Sequence, residues 1–175
     1  IVDVSKNLNS LISVDPEKRQ ATVQPGIVLD QLNAMLKQHG LFFPVDVSTS
    51  SRATIGGMTA NNSCGARSIR YGKMVDNVCE VDAVLADGSN MRFGKWDEGT
   101  VSAVPQRKQE LLSQLIELGT RESEEVVKRF PKVQRRVGGY NLDVLSADPS
   151  SSINLAQLLV GSEGTLAVSN QITLS

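Results

Sequence analysis

Two islands of small residues hold most of the groups through which this chain could do chemistry. The first, ATIGGMTANNSCGARSIRYG (residues 53–72), sets glycines among amides and hydroxyls with no lasting helical or strand period. Gly56 and Gly57 permit positive φ and let another group approach the main chain closely. Successive small residues can also turn several backbone N–H groups into one concavity, a common way to hold phosphate. Ser48, Thr49, Ser50, Ser51 and Thr54 supply hydroxyls beside it, and Asn61 and Asn62 supply amides that both donate and accept. That inventory suits a ligand with a diphosphate and a heterocycle, and on composition alone a plain structural loop suits it equally. The second island, LLVGSEGTLAV (158–168), sets Gly161, Ser162, Gly164 and Thr165 around Glu163. Its apolar flanks should be buried, which puts the turn at the edge of the core. The simpler alternative is a helix-to-strand turn with Glu163 exposed.

Neither island has the grammar of the common phosphate loops. G-x-x-x-x-G-K-[ST] is absent, and so is G-x-G-x-x-G between a strand and a helix. No metal site is expected, because His39 is the sole histidine and the two cysteines, Cys64 and Cys79, form no Cys-x-x-Cys pair. His39 precedes Gly40 at an expected helix end, where a histidine interacts with the dipole and the last carbonyls. No catalytic residue is identified. A net charge of −1 argues against a nucleic-acid partner. The basic run KRFPKVQRR (128–136), after acidic RESEE (121–125), reads as a solvated linker or helix face. No apolar run approaches the ~20 residues a membrane span needs. The sparse cysteines suit a reducing, cytoplasmic compartment, with peripheral attachment to the inner face of the membrane as the alternative.

The elements that must position these islands read as an α+β fold. Residues 1–5 alternate like a strand, and 11–15 with 20–25 read as a hairpin ended by Pro25-Gly26. Residues 28–40 predict a helix with Val28, Leu29, Leu32, Met35 and Leu36 on one face and Gly40 as its stop. LFFP (41–44) resumes extended structure. Residues 78–94 predict two strands about an Asp87-Gly88 turn. A second amphipathic helix spans 105–118, with Gly119 following. Residues 153–161 read as a short buried helix, 164–175 as a strand and 146–152 as a loop, while 120–136 gives no clear pattern. Cys79 is expected to be a buried strand residue.

Four segments together resemble the FAD-binding (PCMH-type) domain of the vanillyl-alcohol oxidase/p-cresol methylhydroxylase superfamily of FAD-linked oxidases. They are TVQPG…SIRYG (22–72), VCEVDAVLADGS (78–89), RRVGGYNLDVL (135–145) and LLVGSEGTLAV. Within it the chain is similar to the D-lactate, glycolate and D-2-hydroxyglutarate dehydrogenase branch. GGYNLD ahead of GSEGTLAV is similar to large members fused to an iron–sulfur domain; the likeness leaves such a cluster open for the parent protein, not for this chain.

The resemblance implies two α+β lobes clasping FAD, with a mostly antiparallel sheet in the larger. Residues 1–45 would be the remainder of the first lobe and 46–175 the second. It implies cofactor contacts at Pro25-Gly26, at Asp46 and Ser48 lining the flavin cleft, and at Thr54, Ile55, Gly56 and Gly57 by the diphosphate and ribityl chain. Asn61, Asn62, Gly65 and Ala66 would follow beside the cofactor, and Gly161, Glu163, Gly164 and Leu166 would wrap the adenosine end. Arg67, Tyr71 and Gly72 match scaffold positions.

The family's glycine-rich diphosphate loop would precede residue 1, and its substrate domain would follow residue 175. The fragment is therefore expected to hold FAD weakly or not at all and to be inactive alone. The implied parent oxidises a D-2-hydroxy acid by hydride transfer to flavin and passes electrons to an unidentified acceptor. Three alternatives stay open: a flavin-free structural or interaction module of this fold, a reductase of the UDP-N-acetylenolpyruvoylglucosamine type, and a covalent flavin link at Cys64 in place of simple packing.

Overall fold

The computed structural model describes residues 2–96, 106–145 and 153–175. Strands Leu11–Asp15 (β1) and Gln20–Val23 (β2) form the expected hairpin. Its turn is fixed where the Asp15 carboxylate accepts the Lys18 amide at 3.0 Å, with Arg19 at φ 54°. Ala21 and Val23 alternate inward, as a strand with one buried face requires.

Residues 1–5 are not the expected strand. Leu8 donates its amide to Val4 O, and the Asp3 carboxylate accepts from the Ser5 amide and hydroxyl, so local turns take the bonds a ladder would need. This loop lies directly on Gly26, where any Cβ would overlap the carbonyl oxygen of Val4.

Helix Leu29–Leu36 (α1) buries Leu29, Leu32 and Leu36. Val28 is half-buried and Met35 is exposed, so its apolar stripe is narrower than the sequence pattern implies. A 3-10 turn, Lys37–His39, leads to Gly40 at φ 68°, the expected left-handed stop beside His39.

The glycine-rich stretch is more regular than expected. It holds two short helices, Ile55–Ala60 (α2) and Ser68–Tyr71 (α3), and a third, Met74–Asn77 (α4), follows it. Strands Val78–Leu85 (β3) and Asn90–Phe93 (β4) form the second hairpin about Gly88 at φ 81°. Cys79 lies on β3 but is half-buried. Lys95–Trp96 (β5) pairs with Ile153–Asn154 (β6).

Helix Gln106–Arg129 (α5) runs well past its expected end. Gly119 is no stop: it is a notch, since a Cβ there would come within 2.5 Å of Leu145 in the 3-10 turn Leu142–Leu145. The acidic and basic runs thus share a helix face through Arg129, where Glu125 pairs with Lys128 and Arg129. A four-residue helix, Ala156–Leu159 (α6), and strand Ala167–Leu174 (β7) complete the chain. The expected loop at 146–152 falls outside the described residues.

Among the described residues all pairings are antiparallel, and the five-stranded sheet runs β1-β2-β7-β3-β4. The last long strand therefore lies in the middle, joining both hairpins over one core that includes Ile27, Leu32, Ile55, Met74 and Ile172. No helix among the described residues is long and apolar enough to cross a membrane.

Candidate functional site

The geometry of the first island starts at Thr54, whose extended backbone ends the approach to α2 and whose hydroxyl accepts the Gly57 amide. Ile55 and Met58 anchor α2 in the core. Gly56 is helical, not left-handed. Glycine is required there because a Cβ would lie 2.5 Å from the Pro25 side chain, and its amide donates to Pro25 O at 2.7 Å.

The helix ends at Asn61 and Asn62, which differ sharply. Asn61 is exposed and accepts from the Ser63 hydroxyl. Asn62 is wholly buried at φ 51°, and its Oδ1 accepts the Val75 amide at 3.0 Å, tying α2 to α4. Its Nδ2 has no partner among the described residues.

The second island is laid against this helix end. Gly161 donates to Thr59 O and Glu163 to Ala60 O, each at 2.9 Å. Gly161, Glu163 and Gly164 all take positive φ (84°, 53° and 74°), so three of four consecutive residues are in the left-handed region. A Cβ on Gly161 would sit 3.2 Å from Gly139 O, so the GGYN segment supports the turn from behind. Tyr140 and Thr165 share a hydroxyl–hydroxyl bond of 2.8 Å. Buried Asn141 donates to Gln157 O and Val160 O, and Arg136 pairs with Asp143 while donating to the Asn141 side chain.

Between the two turns opens a cleft of about 910 Å³, within the range of small-molecule sites. Pro25, Thr54, Gly56 and Gly57 form one wall, and Glu163 and Gly164 the other. Six sequence-derived positions thus meet on one cavity.

Other positions lie elsewhere. Gly26, Ile55, Asn62 and Gly161 are buried and shape the walls through packing. Asp46 and Gly65 form a separate cluster: Asp46 Oδ1 accepts the Arg67 amide at 2.9 Å, and Arg135 donates to Gly65 O. Ser48, Asn61 and Ala66 lie outside the cleft lining, and Leu166 faces a different apolar depression between the β3–β4 turn and α5.

The cleft is also lined by Ser162 of the second island and by residues the sequence did not single out: the Val2–Ser5 loop, Thr59, Ala60, Leu159 and the start of β7 at Ala167–Ser169. Ala167, Val168 and Ser169 all line it, so strand alternation could not have singled them out.

Two features decide what the cleft can do. Most amides of both turns already have partners: Ile55, Gly56, Gly57, Met58, Gly161, Ser162, Glu163 and Thr165 all donate within the chain. The wall therefore offers small groups, carbonyls and hydroxyls more than free N–H donors. Among the described residues no lysine or arginine lines it, whereas Asp3 and Glu163 do. Hydrogen bonds from the Ser5 hydroxyl and amide hold the Asp3 carboxyl below the usual range, so it is anionic at neutral pH.

Residues 1–94 match the family model described as FAD binding domain. The chain is 38% identical over 169 residues to the D-2-hydroxyglutarate dehydrogenase of Pseudomonas putida, covering 95% of this chain and 17% of that protein. It is 40% identical over 95 residues to glycolate oxidase subunit GlcD of Bacillus subtilis, covering 54% of this chain and 20% of the relative. Among solved structures, an alkyldihydroxyacetonephosphate synthase superposes with a TM-score of 0.59 at 19% identity, over 97% of this chain and 21% of the other. The chain thus spans about a fifth of these proteins.

Proposed function

This chain belongs to the FAD-binding domain family, and on that premise we propose that it is the FAD-binding portion of a longer oxidoreductase acting on a D-2-hydroxy acid. The observation that carries the reading is the seating of the Gly161–Gly164 turn on the end of α2, which opens the small-walled cleft. Gly164 has open space where a Cβ would lie, and Pro25, Gly56 and Gly57 keep the facing wall low, so a flat or extended ligand can lie between them. The Thr54 hydroxyl, which accepts the Gly57 amide, keeps its proton to donate, and the Glu163 carboxylate can accept from sugar hydroxyls. Gly26, Ile55, Asn62 and Gly161 hold these walls in place. We assign Asp46, Ser48, Asn61, Gly65, Ala66 and Leu166 to the outer contacts of a long cofactor or to scaffold.

Bound FAD would supply the two-electron acceptor for oxidation of the substrate's α-carbon. The chain's own part is to bind, orient and exclude water. Substrate and electron-acceptor sites belong, in this reading, to the rest of a cytoplasmic parent. Residues 1–45 and 46–175 fall in its first and second lobes, a division of chain order, since β2 pairs directly with β7. Cys64 is half-buried among small residues outside the cleft lining, which favours simple packing over a covalent flavin link there; a flavin mass adduct on Cys64 in the denatured parent would overturn that point.

The test is anaerobic reduction of the full-length protein's flavin by D-2-hydroxyglutarate, D-lactate and glycolate. Bleaching of the flavin band by at least one of them is expected. A colourless purified protein, or flavin that none of them reduces, would refute the proposal.

A further inference from the structure

On another face of the molecule lies an apolar depression of about 450 Å³, walled chiefly by Leu36, Leu41, Phe42, Pro44, Tyr71 and Leu174. It is preformed. Asn77 Nδ2 donates to Tyr71 O and Lys73 O, and Asn77 O accepts the Ser175 amide at 3.0 Å, so loop, helix end and strand end are fixed to each other. Its rim nevertheless leaves large rings in water: Phe42 is 50% exposed and Tyr71 37%. The two rings meet edge to face at 5.9 Å, and the Arg70 guanidinium lies 5.2 Å from the Tyr71 ring. A rigid apolar hollow with an aromatic rim and a flanking cation has the anatomy of an interface core, not of a solvated surface.

Two observations identify the occupant. The chain covers 17% of a matched relative, so most of a parent of that length lies outside these residues. Leu174 and Ser175 form part of the depression's wall, so any residue beyond Ser175 emerges beside Phe42 and Tyr71. We propose that in the full-length parent an apolar segment of its own remaining chain seats in this depression against Phe42 and Tyr71, joining the FAD-binding portion to the next domain. The inference rests on the reading of the chain as part of a longer flavoprotein.

Hydroxyl-radical footprinting of the full-length parent, at two protein concentrations and with bound flavin recorded on the same sample, tests it. Phe42 and Tyr71 should oxidise as slowly as buried Phe93 at both concentrations. Oxidation at the rate of a half-exposed ring overturns the docking, even if flavin is bound. Protection seen only at the higher concentration assigns the face to a second copy and overturns it too, as does protection that vanishes when flavin is removed. Slow oxidation in a protein that never held flavin would sustain the docking and remove the flavoprotein reading.

Discussion

Gly65 and Gly164 need to be glycine for different reasons, and substitution should separate them. A Cβ on Gly65 would overlap the main-chain carbonyl of Asp46, which no rotamer change can move aside. Gly65→Ala should therefore cost at least about 3 kcal/mol in denaturant unfolding, the upper end for overpacked sites. Gly164 has open space where a methyl group would lie, but it sits at φ 74°, so Gly164→Ala should lose only about 1 kcal/mol, the left-handed penalty. Equal losses would contradict this distinction. At the same scale, the glycines of the first island were legible as a place of close approach. What they approach was not: Gly56 and Gly65 meet the chain's own Pro25 and Asp46, contacts that no local pattern reveals.

Helix α2 shows why an element can be hidden in its own sequence. Two glycines in six residues each oppose a helix by about 1 kcal/mol, so no periodic signal survives. Tertiary contacts override this: Ile55 and Met58 enter the core one turn apart, and the Thr54 hydroxyl caps the Gly57 amide. Thr54→Ala should cost about 1 kcal/mol by chemical unfolding, with Thr54→Ser close to neutral; an Ala variant as stable as the parent would remove the cap from the account. The hairpins and α1 were readable because alternation, an Asp-Gly turn and a Gly40 stop are local. The length of α5 was not, since Gly119 reads as a stop until Leu145 packs on it. Asn141 was equally silent, although it carries the carbonyls of Gln157 and Val160. Asn141→Ala removes both of these bonds and should destabilise by about 2 kcal/mol, loosening the Gly161–Gly164 turn first in hydrogen exchange.

For the molecule as a whole, the antiparallel sheet brings distant parts of the chain together: β7 lies between β2 and β3, and its start lines the cleft that α2 closes. Among the described residues the cleft has two carboxylates and no cation along its lining, so a diphosphate there gains no compensating charge from them. Residues 1–175 alone should accordingly quench added FAD fluorescence only weakly and without saturation at stoichiometric protein. Tight stoichiometric quenching would show that the missing charge is not needed. The most direct test of the central claim, that the two small-residue turns enclose the cofactor, is the flavin content of the full-length protein carrying Ala60→Leu, with folding followed by circular dichroism. Ala60 lines the cleft where α2 meets the Glu163 turn. A folded variant purified without flavin is the expected result; a folded variant that keeps one flavin per chain would contradict the account.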